Sequence, residues 1–376
     1  MKKKGLHFQI MSGIGLLLML LAAPLTGVLL RGETVAPYLQ FPPGAPAVDY
    51  PSFSWVAFGA ILLFIILTTW PFWKRMGRGY LGFITPHKHL KFPIWGWIAI
   101  AALTCFWILA WTRFSWFESF QRYTFFPIWF SFILTLNAVA LKISGRSLMT
   151  RFPAYFTLLF PASAAFWWFF EYLNRFVNNW HYLAASELSS WQYFLEASLA
   201  FSTVLPAVMS LFYIVLQVSV FRNNFNNFPA IPWLTSGWMW TVLGMVSIAG
   251  LIGTGWQPEY FFPLLWIAPG VLWISFQQWK GYVNPVLKQT SEGNFTLVWS
   301  SAIAALVCGF FWEMWNFFSL AKWQYNVPGI EKFYLFEMPA LGYAGYLPFG
   351  VICLLISHSL YTSMASAQWM IEKEVI

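Results

Sequence analysis

The sequence predicts an all-α fold: a polytopic membrane helical bundle of about ten transmembrane helices, with a parallel internal duplication of a four-helix unit. Three observations predict it. Hydrophobic residues make up 59% of the chain and aromatic residues 22%, with only 9% charged. Soluble domains carry roughly a quarter charged residues, so this chain lacks the polar surface to face water and needs lipid as its solvent. Apolar runs of the ~20 residues that cross a bilayer core recur along its length. A set of landmark residues also appears twice in the same order.

Taken in order, the spans are expected at about 10–30, 53–73, 93–112, 123–141, 153–172, 196–219, 232–253, 260–279, 296–317 and 338–362. The first follows Met1-Lys2-Lys3-Lys4, a basic start like that of a signal peptide. It is longer than a signal-peptide core and lacks a clean cleavage site, so a retained anchor is expected. With the N-terminus inside, alternating segments place 15 of the 21 Lys and Arg on the cytoplasmic side. They include Lys74, Arg75, Arg78, Lys88, Lys91, Lys142, Arg146, Arg151, Arg222, Lys280, Lys288 and Lys373. The positive-inside rule then predicts a multi-pass cell-membrane protein with both termini cytoplasmic. The net charge of +8 reflects this bias and calls for membrane lipids, not nucleic acid, as partner.

The duplication sets the expected domain organisation: a two-helix extension with a basic loop at 1–92, a first repeat at 93–225 and a second at 226–376. Tyr123-Thr124-Phe125-Phe126-Pro127 matches Tyr260-Phe261-Phe262-Pro263. Glu171 and Asn174 match Glu313 and Asn316 near the end of a span. Trp180-His181-Tyr182 matches Trp323-Gln324-Tyr325, Glu196 matches Glu337, and Leu205-Pro206 matches Leu347-Pro348. Four spans per copy make the repeats parallel. The landmarks then gather at the outer face.

Four of the 13 acidic residues therefore occupy matched positions: Glu171, Glu196, Glu313 and Glu337. A carboxyl in or near hydrocarbon is costly and marks a functional candidate. Desolvation also favours the neutral acid, which can donate a proton. Glu171 with Asn174, and Glu313 with Asn316, share a helix face, so each amide is expected to orient its carboxyl. The same pairs could equally tie helices together by hydrogen bonds. Glu196 and Glu337 are expected to open the next span beside helix breakers. The Gly- and Pro-rich segment Glu337 to Gly350, which includes Tyr343, suggests a broken or re-entrant helix beside a site. The alternative is a kinked helix packed closely through Gly342 and Gly345. Trp168, Trp180, Tyr182, Trp312, Trp323 and Tyr325 are further binding candidates with Asn174 and Asn316. Aromatic residues also simply favour membrane interfaces.

Other chemistries find little support. Cys105, Cys308 and Cys353 lie inside spans without a CxxC pair and read as small buried apolar residues. The five histidines do not supply facing haem ligands, and Pro86-His87-Lys88-His89 reads as a solvated basic loop. Walker, dinucleotide and nucleophile-elbow motifs are missing. No cofactor and no metal are expected.

The segment Glu313…Trp323-Gln324-Tyr325…Glu337-Met338-Pro339 resembles the heterodimer-type lycopene cyclase domains and the bacterioruberin-type carotenoid hydratases. The resemblance covers roughly the last three spans of each copy. It departs in having one acid before the proline where the cyclases have a proline followed by paired acids. It implies a lyase or isomerase in which a neutral glutamic acid protonates a polyene, with a bound isoprenoid or carotenoid pigment as ligand. Glu337 would be the donor and Glu313 its partner. A transporter or channel using the same acids, or a non-catalytic subunit with membrane-complex partners, are the alternatives.

The topology is open to test. A fluorescent reporter fused after Ile376 should fold and fluoresce in the cytoplasm, and a single cysteine placed at Phe120 should label from outside in intact cells. The reverse pattern contradicts the orientation.

Overall fold

The computed structural model describes residues 2–44, 47–84, 90–183 and 188–364, with side chains from residue 13 onward. The Pro86-His87-Lys88-His89 element and Lys373 lie outside the described residues, as do the side chains of Lys2, Lys3, Lys4 and His7. A helix occupies most of each predicted span. The long helices are α1 (Lys2–Leu30), α2 (Trp55–Met76), α3 (Ile94–Trp111), α4 (Phe125–Ser144), α5 (Pro153–Val177), α6 (Ser190–Phe201), α7 (Val204–Val215), α8 (Gly237–Trp256), α9 (Leu264–Trp279), α10 (Thr296–Phe317) and α11 (Tyr346–Met364). Four short strands accompany them: β1 (Trp180–Tyr182), β2 (Trp323–Tyr325), β3 (Tyr334–Leu335) and β4 (Met338–Pro339). The protein is thus an all-helical bundle embedded in a membrane.

Among the described residues, eight stretches are long and apolar enough to cross a bilayer, rather than ten. The two that fall short are α5 and α9. α9 has only 16 residues, under the length a bilayer core requires. α5 has 25 residues but mixes Pro, Ser, Thr, Tyr and Trp into its apolar run.

One predicted span, 196–219, is two helices. Pro206 supplies no amide hydrogen and crowds the preceding turn, so the chain breaks between α6 and α7. Ser163 of α5 repairs the break. Its hydroxyl donates to the Phe201 carbonyl at 2.6 Å and accepts from the Leu205 amide at 3.0 Å. Backbone groups freed at membrane depth are thereby satisfied inside the protein.

The chain forms two compact units built from interleaved segments. One comprises Met1–Ser52, Phe170–Asn179 and Ile231–Ser291. Within it, α1 and α8 touch backbone to backbone. A Cβ added to Gly255 would lie 1.9 Å from the Pro24 carbonyl oxygen, and one on Gly27 would lie 1.9 Å from that of Ile252. Small residues at such crossings let membrane helices gain dispersion contact where lipid gives no hydrophobic drive. The end of α5 is pinned in the same unit. Arg175 donates to the carbonyls of Tyr38 and Gln40, and the Tyr50 hydroxyl donates to that of Val177. These bonds serve carbonyls that a helix end otherwise leaves open.

The second unit comprises Phe53–Phe169, Trp180–Ala230 and Glu292–Ile376. α10 and α11 pack closely within it. A Cβ on Gly350 would lie 2.1 Å from the Ser301 carbonyl oxygen. Cys308 and Cys353 are buried here, whereas Cys105 is exposed on α3, contrary to the expectation that all three are buried.

Replacing Gly255 by Leu should force α1 from α8 and cost about 1–3 kcal/mol or more, because tightly packed interiors resist added volume. A thermal unfolding scan in detergent should show a lowered midpoint. An unchanged midpoint contradicts this packing.

Candidate functional site

The site grows from the end of α10. After Phe317 the chain turns back, and the buried Asn316 side chain catches it. Its amide nitrogen donates to the Trp323 carbonyl at 2.8 Å, and its oxygen accepts from the Trp323 amide at 2.9 Å. This two-point clamp acts as a strand partner would and sets β2 in place. β2 pairs antiparallel with β1, in the register Trp180↔Tyr325, His181↔Gln324 and Tyr182↔Trp323. The two Trp-x-Tyr elements found in the sequence thus bond to each other, symmetrically about the His181–Gln324 pair.

Alternate residues of a strand face opposite ways, and β2 uses both faces. On one face, the Trp323 indole donates to the Tyr325 hydroxyl at 2.7 Å, and that hydroxyl donates to Glu313 Oε1 at 2.7 Å. The Tyr346 hydroxyl donates to the same oxygen at 2.6 Å. Glu313 is fully buried, and its Oε2 is buried without a hydrogen-bond partner. Burial, then the adjacent Glu313 charge, push the Tyr325 phenol well above the usual tyrosine value, so it keeps its proton as a donor. The Tyr346 ring fits because Gly309 lies beside it. A Cβ there would sit 2.3 Å from the ring.

On the other face, Gln324 donates to Glu337 Oε2 at 3.4 Å, and Lys322 forms an ion pair with Glu337 Oε1 at 2.5 Å. Glu337 does not open a helix as expected. It lies in the two-residue turn of the β3–β4 hairpin, in which Leu335 pairs with Met338. Phe336 in that turn has φ of 60°, and Phe333 has φ of 56°. Bulky residues rarely take such conformations, and they persist where surrounding contacts over-determine them. Here Phe336 packs against Phe310 and Phe317 of α10. The Tyr343 hydroxyl donates to the Leu335 carbonyl, tying the following 3-10 turn to the hairpin. The Gly- and Pro-rich segment is therefore a hairpin and a 3-10 turn that deliver Tyr346 to the start of α11. Gly342 packs against Met338, while Gly345 borders open space.

Aromatic rings enclose this corner. Trp312 lies 5.9 Å from Tyr346 and 5.0 Å from Trp129 of α4. Trp129 lies 5.1 Å from Trp315. Phe125 packs edge-on to Trp323 at 5.7 Å, extending the shell to β2.

The structure brings together Glu313, Asn316, Trp312, Trp323, Tyr325 and Tyr343, whose ring lies 6.0 Å from that of Tyr346, with Glu337 on the other face of β2. The first-repeat candidates take other places. Glu171 and Asn174 are buried in the unit that contains the end of α5, where Asn174 Oδ1 accepts from the Asn179 amide at 2.8 Å. Glu196 lies within α6, not at the start of a span, and forms an ion pair with Arg122 at 3.1 Å. Trp180 and Tyr182 form β1. Trp168 donates to the Ser198 hydroxyl at 2.9 Å and stacks on Phe194, fixing α5 to α6. The amides of the Glu–Asn pairs were expected to orient the carboxyls. Asn316 instead holds the backbone of Trp323, and two phenols hold Glu313. A glutamate and an asparagine on one helix face are short side chains that point along the helix, so a returning loop competes for the amide.

Sequence reasoning missed Tyr346, Gly309, Lys322 and Gln324. Two of them carried a signal. Where the repeats align, Tyr346 stands opposite Val204 and Gly309 opposite Trp167. Such breaks in an otherwise matched frame mark divergence. Among the described residues no group of three His, Cys, Asp or Glu is placed to hold a metal. Comparison with protein-family models, with characterised proteins and with solved structures gives no match for this chain.

Replacing Asn316 by Leu should leave two Trp323 backbone groups without partners, at about 1–3 kcal/mol for each buried group. Hydrogen exchange at the Trp323 and Tyr325 amides should speed up. Exchange as slow as in the unaltered protein contradicts the clamp.

Proposed function

We propose that this chain is a membrane enzyme acting on an apolar isoprenoid or polyene lipid by acid–base chemistry at Glu313, in the manner of a cyclase or hydratase. The observation that carries the reading is a fully buried carboxyl with two phenol donors on one oxygen and none on the other, set among tryptophan rings. An ionised carboxyl with a bare oxygen in such surroundings is costly, and the neutral acid avoids that cost.

The chemistry follows from the neutral acid. Glu313 transfers its proton to one carbon of a double bond, so that the alkene π pair becomes a C–H bond. The O–H pair stays on the carboxylate, which Tyr325 and Tyr346 stabilise through Oε1. The positive charge falls on the other alkene carbon, where aromatic faces such as Trp312 attract it. Loss of a neighbouring proton to the carboxylate regenerates the acid and gives an isomerised alkene. Where a second double bond of the polyene first gives its π pair to the cation, a ring C–C bond forms, the charge moves to that alkene's other carbon, and the same proton loss gives a cyclised product. Addition of water to the cation gives a tertiary alcohol, with one water proton returned to Glu313.

The roles differ from those that the resemblance to carotenoid cyclases implies. Glu337 is engaged by Lys322 and Gln324, which suits an ionised group that holds β2 and its hairpin in place. Glu313 is the proton donor. Membrane lipids surround the bundle, and the positive-inside bias supports a cell membrane with both termini cytoplasmic.

The test is product analysis by chromatography and mass spectrometry of lipid extracts from a host that makes polyenes. Glu313→Gln should reduce product by about 100-fold or more, the scale of general acid catalysis, with normal protein level. Extracts identical with and without the protein, or unaltered by the substitution, contradict the proposal.

A further inference from the structure

Tyr346 has no counterpart in the first repeat, and the geometry gives it a task. A carboxyl oxygen has two lone pairs. Oε1 of Glu313 receives one phenol proton from Tyr325 and one from Tyr346, which uses both. The direction of the first bond is fixed, because the Trp323 indole already donates to the Tyr325 oxygen and leaves its proton for Glu313. The second is fixed by space. Gly309 admits the Tyr346 ring one helical turn before Glu313, where any side chain would collide with it. Oε2, buried and unpartnered, is the oxygen that remains for a proton.

We propose that Tyr346 is a positioning residue: together with Tyr325 it saturates Oε1 of Glu313 and so confines the acidic proton to Oε2. The inference rests on the reading of Glu313 as the acid. It adds which oxygen delivers the proton and which residue decides it. A neutral carboxyl free to place its proton on either oxygen would present two donors with different directions. Saturating one of them leaves a single direction, which the addition of a proton to one face of a double bond requires.

Infrared difference spectroscopy of the detergent-purified protein at neutral pH tests this directly. The band lost on Glu313→Gln identifies the carbonyl stretch of the neutral acid. A carbonyl with two donors absorbs at low frequency, and removing one donor raises it. Tyr346→Phe should therefore shift the Glu313 band upward, and Tyr325→Phe should shift it similarly, since both substitutions keep the ring. An unmoved band in both variants overturns the inference, as does the lack of any neutral carboxyl band assignable to Glu313. The readout is independent of product. If the band shifts as expected and product survives Glu313→Gln, the positioning holds and the catalytic reading falls.

Discussion

The arrangement around α10 depends on one constraint: a carboxyl group buried among apolar side chains must have its oxygen atoms engaged or its charge removed. Glu313 meets this with two phenols on Oε1. Each phenol needs its own support. Tyr325 stands on a strand that Asn316 clamps at both backbone groups of Trp323. Tyr346 stands at the first position of α11, delivered by a hairpin whose turn holds Phe336 at positive φ. Gly309 clears the space for its ring. The Asn316 clamp, the hairpin turn at Phe336 and Gly309 of α10 all serve that requirement.

The two matched segments of the sequence differ at two places around this corner. Gly309 of the second stands where the first has Trp167, and Tyr346 stands where the first has Val204. The first repeat fills its slot with its own tryptophan, which packs against Trp180, Phe201 and Phe349. The second repeat opens the slot and brings in a phenol from the next helix. One large and one small residue are exchanged, so volume is kept while a hydroxyl is gained. The shared sheet of β1 and β2 places the Trp-x-Tyr element of each repeat against the other.

Much of the fold was legible from apolar run length, because a bilayer fixes how long a helix must be. The break at Pro206 was not, since only the partner Ser163 makes it tolerable. Glu313, Trp323 and Tyr325 stood out in the sequence as matched landmarks. Their hydrogen bonds were not legible, because strand pairing and the Asn316 clamp bring together residues whose spacing follows no helical period. Glu337 was recognised as a candidate but assigned to a helix start. Nothing local announces a two-residue turn at Phe336-Glu337, as neither residue is a turn former. Tyr346 was hidden for a different reason: it lies one residue before a matched Leu-Pro, where the repeat stops matching.

The direct measurement is the energetic coupling between Glu313 and Tyr346. A double-mutant cycle with Glu313→Gln and Tyr346→Phe, followed by reversible unfolding in detergent micelles, isolates it. A carboxyl gripped by that phenol predicts non-additivity of about 0.5–3 kcal/mol, the range for residues in one hydrogen-bond network. Strict additivity of the two single changes contradicts the account.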